Sequence, residues 1–129
     1  MIKITIKSNL KREVLDITDL VNKEIEKQNF KQGLCNLFVT HSTAALTTAD
    51  LDPGTDQDYL DAFEEVVPKM GYKHPHDPQH MPDHILSTLI GTSLTLPVEN
   101  GQLVLGTWQK VVLIEFAGPR ERQLVINLT

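Results

Sequence analysis

Histidine is the residue type with the most chemical potential in this chain, because an imidazole titrates near neutrality and can bind a metal ion or move a proton. Four of the five histidines lie within one stretch of eleven residues. These four are His74, His76, His80 and His84. The fifth, His41, closes an apolar run and is followed directly by Ser42 and Thr43. The two histidine-bearing segments are therefore the first candidates for a functional site.

A divalent metal ion is the ligand that such histidines favour. Neutral imidazoles bind Zn²⁺ at about 2.0–2.1 Å, and three histidines plus a water molecule form a common catalytic arrangement. The alternative is that the clustered histidines are solvated loop residues, and spacing alone does not decide between the two. His80 and His84 have the i,i+4 spacing of a helical pair, but Pro82 between them disfavours a helix running through residue 80.

Polar residues that could hold a phosphate occur in two further segments. Ser42 and Thr43 offer hydroxyl and backbone N–H groups to a phosphate oxygen, or they simply end a strand. Arg120 follows a Gly-Pro turn and could bind phosphate through two N–H groups, or form a surface ion pair.

Two side chains near the C-terminus need a structural or a chemical explanation. Glu115 interrupts the apolar run Val111–Ile114, so it is either exposed or paired with a histidine N–H or Arg120. Trp108 is the only tryptophan, and it either stacks on a heteroaromatic ring or packs in a core or a subunit interface.

Composition places the chain among ordinary globular proteins. Its 129 residues predict one domain, over residues 1–129, and its 40% hydrophobic and 22% charged residues are typical of a soluble fold. The net charge of −5 argues against nucleic acid as a partner. No run approaches the length of a membrane span or resembles a signal peptide, so we expect a cytoplasmic protein with no membrane partner. The single cysteine, Cys35, is expected to be a buried hydrophobe.

Periodicity and turn residues predict an α+β fold, a mostly antiparallel two-layer β-sandwich of about seven strands with about three helices. The first strand, over 2–7, is expected to form a hairpin with 12–16. The segment 35–41 is expected to be a strand buried on both faces, because its apolar residues are consecutive. Other strands are predicted over 45–50, 93–98, 102–105, 110–116 and 123–128, and helices over 18–28, 55–67 and 84–90.

Turn and loop residues add three more specific predictions. Asn100-Gly101 predicts a tight hairpin. Thr55 and Asp58 resemble a capping box at the start of the second helix, whose apolar face includes Val66. The loop over 69–82 is longer than most loops of a compact domain, which favours a functional role for its histidines.

Three blocks of the sequence resemble the YjbQ-like family, known as the secondary thiamine-phosphate synthase enzyme family. They are His41–Thr47, the segment from His74 through Met81–Val98, and Gly106–Arg120. The resemblance extends in order from about residue 33 to residue 128. It implies a small α+β sandwich that assembles as a homotrimer, with a metal bound by histidines near the subunit contacts. The activity it implies joins a thiazole phosphate to a pyrimidine diphosphate, releasing pyrophosphate.

The resemblance also assigns roles to particular residues. His41, His74 and His84 occupy the family's histidine positions and would bind a divalent metal ion, with zinc expected. Glu115 and His41 would act in catalysis. A small phosphorylated metabolite would be held by a larger set, namely Ser42, Thr43, Trp108, Gln109 and Arg120. His76 has no counterpart and His80 falls where relatives more often carry Asn or Asp, so their roles stay open.

The predicted function is therefore that of a metal-binding enzyme with weak thiamine-phosphate synthase activity. Two alternatives remain open on the residues alone. One is a non-catalytic trimer that binds a metal or a metabolite, and the other is a hydrolase that uses a metal-bound water.

Overall fold

Eight strands in two antiparallel sheets organise the computed structural model, which describes residues 1–129. The five-stranded sheet has the order β1-β8-β3-β5-β6, and the three-stranded sheet has the order β2-β7-β4. The strands are β1 (Ile2–Lys7), β2 (Glu13–Asp16), β3 (Gly33–Val39), β4 (Ala44–Ala49), β5 (Ser93–Glu99), β6 (Gln102–Leu103), β7 (Lys110–Glu115) and β8 (Glu121–Leu128). With three α-helices, this architecture confirms the predicted α+β class.

The three-stranded sheet is the middle of three layers. Val111 and Leu113 of β7 point into the core shared with the five-stranded sheet. Val112 and Ile114, which alternate with them, point into a second core formed with two of the three helices. The run of consecutive apolar residues in β7 is thus explained by burial on both faces.

The prediction that 35–41 is buried on both faces is wrong. In β3 the side chains of Cys35, Leu37 and Val39 are buried, whereas Leu34 and Phe38 alternate with them and are exposed. Consecutive apolar residues therefore have a different cause in β3 than in β7. One face of β3 lies in the core, and the other face, which carries Leu34, Asn36 and Phe38, is not covered by any part of the chain.

The predicted hairpin between the first two strands is also wrong. β1 pairs with β8, whereas β2 pairs with β7 in the other sheet. The connection between β1 and β2 crosses from one sheet to the other and is held by the turn that precedes β8. There the Ser8 N–H donates to the Arg120 carbonyl at 3.0 Å, and the Gly118 N–H donates to the Lys11 carbonyl at 2.8 Å.

The helices agree with the sequence to within one residue, except that the third begins earlier than predicted. They are α1 (Thr18–Lys27), α2 (Thr55–Val66) and α3 (Met81–Ile90), and a 3₁₀ turn over Pro78–His80 precedes α3. The predicted capping box is wrong, because Thr55 is already inside α2 and its hydroxyl donates to the Asp52 carbonyl instead. Helix α3 begins three residues before His84, since Pro82 fits in a first helical turn.

The predicted hairpin at Asn100-Gly101 is confirmed, whereas the predicted burial of Val66 is wrong. Asn100 and Gly101 both have positive φ, as the predicted tight hairpin between β5 and β6 requires. Val66, predicted to be on the apolar face of α2, is 60% exposed. None of the helices combines the length and the apolar character needed to cross a membrane.

Candidate functional site

Two connections that cross between the sheets meet at one cavity. The first, residues 40–43, leads from β3 to β4 and contains His41, Ser42 and Thr43. The second, residues 116–120, leads from β7 to β8 and contains Arg120. Because a chain that changes sheets leaves the hydrogen-bonded ladder, polar side chains are tolerated at both connections.

The cavity has a volume of about 540 Å³, and its lining contains basic residues but no acidic ones. Twelve residues line it, and none of them is an aspartate or a glutamate. Its basic and imidazole side chains are those of His41, His80, His84, Arg120 and Arg122. In a chain with 17 acidic and 12 basic residues, this excess of basic groups points to an anion as the natural occupant.

His41 is fixed as a neutral imidazole. Its Nε2 accepts a hydrogen bond from the Gln123 N–H at 2.8 Å, so the proton of the neutral ring lies on Nδ1. Partial burial lowers the pKa of His41, and the nearby charges of Arg122 and Arg120 lower it further, against the opposing effect of Glu115. In this arrangement Nδ1–H is the group that His41 can donate to an anion.

His84 has its proton on the same ring nitrogen, but it is held by a hydrogen bond that it donates. Its Nδ1 lies 3.1 Å from the carbonyl oxygen of Ser42, which can only accept, so Nδ1 carries the proton and Nε2 is left with a free lone pair. This bond ties α3 to the connection between β3 and β4.

His74 lies against His84 on the loop that precedes α3. The two rings are stacked, with centroids 5.1 Å apart and planes inclined by 16°. The Nδ1 of His74 accepts from the Asp77 N–H at 3.2 Å, which places the proton of the neutral ring on Nε2. His80 contacts the same aspartate, with its Nε2 3.3 Å from the Asp77 carboxylate.

As placed, the three predicted metal ligands do not fit a shared ion. The lone pair of His41 is used by Gln123 and that of His74 by Asp77, so only His84 offers a free nitrogen. No group of three or more His, Cys, Asp or Glu side chains is placed to hold a metal ion. The metal site stays a prediction. Metal binding would require His41 and His74 to give up these hydrogen bonds.

Glu115 is fully buried, so the exposed interpretation is wrong, and its partners are neither a histidine nor Arg120. Its carboxylate pairs with Arg122 and accepts from the Ser8 hydroxyl at 2.6 Å. Burial alone would raise the pKa of Glu115, but hydrogen bonds from Arg122, Ser8 and the Ala117 N–H outweigh it and hold the pKa below its ordinary value.

Arg120 is exposed and has no ion-pair partner. Its Nε donates to the Ala117 carbonyl at 2.7 Å, which orients the guanidinium, and no carboxylate lies within ion-pair distance. The surface ion pair considered from the sequence is therefore absent. A fixed and uncompensated guanidinium at the cavity is suited to an anionic ligand.

Two predicted substrate contacts lie outside the cavity lining. Trp108 is 72% exposed, on the connection between β6 and β7. Gln109, on the same connection, accepts from the Gly106 N–H at 2.8 Å through its side-chain oxygen. Their roles in substrate binding stay predictions, as do those of Ser42 and Thr43, which do line the cavity.

Arg122 is the site residue that sequence reasoning overlooked. It precedes Leu124 and Ile126 at the inward positions of β8 and is 2% exposed. A cation on the inward face of a strand needs a buried anionic partner, and Glu115 in the apolar β7 is the matching signal. The alternation of inward and outward positions in β8 could have shown that Arg122 points inward and needs Glu115 as its partner.

The fold and the cavity define a class of small α+β proteins with a cationic cleft where two sheets meet. The model of the family described as UPF0047 protein YjbQ-like matches residues 2–129. The chain belongs to this family. A UPF0047 protein of Archaeoglobus fulgidus is 36% identical over 126 residues, which is 97% of this chain and 98% of that protein. The UPF0047 protein YugU of Bacillus subtilis is 35% identical over 130 residues, covering 97% and 96% of the two chains.

Solved structures give the same result. A YjbQ/UPF0047 family protein of Clostridium acetobutylicum has a TM-score of 0.89 at 33% identity, with both chains covered completely. A YbjQ-like protein of Sulfolobus solfataricus, described as being of unknown function, has a TM-score of 0.88 at 36% identity and covers 96% of this chain and 91% of its own. These structures support the architecture described above.

Proposed function

We propose that the protein binds the phosphate group of a small metabolite in the cationic cavity. The observation that carries this proposal is the unpaired guanidinium of Arg120, oriented by the Ala117 carbonyl in a cavity whose lining has no carboxylate. Ser42 and Thr43 line the same cavity and supply hydroxyl groups to further phosphate oxygens. Charge-assisted bonds of this kind are about twice as strong as neutral ones.

The chemistry proposed for this site is the transfer implied by the family resemblance. A pyrimidine diphosphate would lose pyrophosphate, and the thiazole nitrogen would form the new bond to the pyrimidine methylene carbon, giving thiamine phosphate. Arg120 would stabilise the negative charge that develops on the departing pyrophosphate. His41, neutral and adjacent, would donate its Nδ1–H to the same anion.

No step of this proposal passes through a metal ion, because the present hydrogen bonds of His41 and His74 occupy two of the three expected ligands. Zinc binding is a separate proposal with its own test. Metal analysis of the purified protein should give about one equivalent per chain if three histidines bind one ion. His84→Ala should then lose the metal, and His76→Ala should keep it.

Assembly with further copies of the chain is also part of the proposal. Most outward positions of three neighbouring strands form an uncharged surface, which we call the outer face, with the outward carboxylates of Glu99 on β5 and Glu121 on β8 at its edges. It consists of Leu34, Asn36 and Phe38 of β3, Ser93, Thr95 and Pro97 of β5, and Gln123, Val125 and Asn127 of β8. Depletion of charge is typical of the core of a subunit interface. Phe38 also lines the cavity, so a second copy on this face would border the proposed site, as the expected homotrimer requires.

Titration calorimetry with inorganic phosphate and pyrophosphate tests the binding proposal. The wild-type protein should bind both, and Arg120→Gln should bind about tenfold or more weakly, since it loses a charge-assisted hydrogen bond. Lys3→Gln removes the same charge from an exposed position on β1 outside the cavity and should bind like the wild type. Equal affinities for the wild type and Arg120→Gln would contradict the proposal.

Incubation with thiazole phosphate and pyrimidine diphosphate tests the chemistry. Thiamine phosphate should form, and Arg120→Gln should lower kcat/KM for the pyrimidine diphosphate. Phosphate binding without product would instead identify a non-catalytic metabolite-binding protein. Release of pyrophosphate that does not depend on the thiazole would identify a hydrolase.

A further inference from the structure

The buried carboxylate of Glu115 is linked by hydrogen bonds to residues on both sides of the cavity. Glu115 accepts from the Ser8 hydroxyl at 2.6 Å and from the Arg122 Nε at 2.9 Å through one oxygen. Its other oxygen accepts from the Ala117 N–H at 3.2 Å and from the Arg122 Nη2. Both oxygens are fully engaged with protein groups, and Glu115 does not line the cavity.

The first branch runs through Arg122 to the connection that carries His41. The Nη2 of Arg122 donates to the Thr43 carbonyl at 3.1 Å and to the Thr43 hydroxyl at 2.9 Å. The next residue along β8, Gln123, donates its N–H to His41. Thr43 and His41 are therefore both held relative to the arginine that Glu115 fixes.

The second branch runs through Ser8 to Arg120. The Ser8 hydroxyl accepts from the Arg120 N–H at 2.9 Å while it donates to Glu115. The backbone N–H of Ser8 also donates to the Arg120 carbonyl. The main chain of the unpaired arginine is thus fixed to the same carboxylate from the opposite side.

We propose that Glu115 is a positioning residue, which acts through Ser8 and Arg122 to set the separation between Arg120 and the His41–Thr43 segment. This inference rests on the proposed phosphate site and assigns Glu115 no proton transfer. A buried ion pair is generally no more stabilising than apolar residues of the same size. Its presence in the otherwise apolar β7 is explained by the fixed geometry that a fully satisfied network imposes on the groups around it.

The Ser8 link is the part that can be removed with least disturbance, because Ser8 does not line the cavity. Ser87 offers a matched control. Its buried hydroxyl donates to the Ala44 carbonyl at 2.6 Å, on the side of β4 that faces α3, and it also does not line the cavity. Ser8→Ala and Ser87→Ala each delete one buried hydroxyl and should lower the unfolding temperature to a similar extent.

Calorimetric titration with inorganic phosphate, at a temperature where both variants are folded by circular dichroism, tests the inference. Ser8→Ala should weaken binding about fivefold, the equivalent of one hydrogen bond, and Ser87→Ala should stay within about twofold of the wild type. A purely structural role of Ser8 would change stability in both variants and affinity in neither. If Ser8→Ala does not fold, Ser8→Cys and Ser87→Cys carry the same comparison.

The outcomes separate this inference from the phosphate site itself. A wild-type protein that binds no phosphate would overturn both proposals. A wild-type protein that binds phosphate, with loss of affinity in Arg120→Gln but not in folded Ser8→Ala, would overturn the positioning role alone.

Discussion

Arg120 and Arg122 show how two residues of the same type, two positions apart, acquire different roles. Arg122 lies on the inward face of β8, where burial requires the Glu115 partner. Arg120 belongs to the preceding turn, where it is exposed and keeps its charge free. Substitutions of Arg122 should therefore act mainly on stability, and substitutions of Arg120 mainly on ligand binding.

Acid should destabilise the protein through Glu115. Because the pKa of the folded carboxyl lies below the ordinary value of 4.5, the ion pair contributes its full stability above pH 4.5 and loses it as the pH falls through the folded pKa. Urea unfolding at a series of pH values measures this effect.

Glu115→Gln is the matched comparison for that measurement. It should be less stable at neutral pH by about 3–5 kcal/mol, because Arg122 is left as a buried charge without a partner. Its free energy of unfolding should then fall less steeply than that of the wild type below pH 4.5. Identical slopes in the two proteins would argue against the lowered pKa.

The connections that change sheets limit how much could be predicted from the sequence. Strand positions followed from alternation, and the hairpin at Asn100-Gly101 followed from local turn chemistry. Strand pairing did not, because the sequence of residues 8–12 does not record that the chain changes sheets there. Of the predicted site, His41, His84 and Arg120 meet at one cavity, whereas Trp108 lies elsewhere. Such long-range proximity depends on which sheet each strand joins.

Gly118, in the connection between β7 and β8, should tolerate no side chain. A Cβ there would lie 2.7 Å from the Ser8 hydroxyl oxygen and 2.8 Å from the Cγ of Glu115, and closer still to the Leu10 carbonyl oxygen. Gly118→Ala should therefore lower both the free energy of unfolding, by about 1–3 kcal/mol, and the affinity for phosphate.

Gly71→Ala is the control for this substitution, because a Cβ at Gly71 would meet no atom within 4 Å. This variant should fold and bind phosphate like the wild type. Equal free energies of unfolding for the two glycine variants, measured with urea, would contradict the prediction, because the connection could then shift without loss of stability.

At the scale of the whole molecule, the three layers leave one large surface without a protein neighbour. Helices α2 and α3 pack on the three-stranded sheet and α1 contributes to the core between the sheets, so no helix covers the outer face. Its nine side chains are uncharged, and the charged residues on the same side of the sheet, Lys3, Lys7, Glu99 and Glu121, lie around it. An exposed surface of this kind adds no stability to a single chain, whereas assembly would bury the side chains of Leu34 and Phe38.

Phe38→Lys should convert an assembled protein into monomers, because it places a charge on β3, the central strand of the outer face. Light scattering of the wild type should give three times the mass of the chain, and the variant should give one. Leu89→Lys introduces the same charge at an exposed leucine on α3, away from the outer face, and should leave the mass unchanged. A wild-type monomer would contradict the proposed assembly.

The position of β7 between both cores has a consequence for how the molecule opens. Its amide protons bond to β2 and β4 on either side, and its side chains contact the five-stranded sheet and the helices. Fraying of a terminus or departure of one helix leaves these amides protected, so deuterium should reach them only when the entire chain unravels. The slowest exchange rates in the protein, converted to free energies, should therefore equal its global stability.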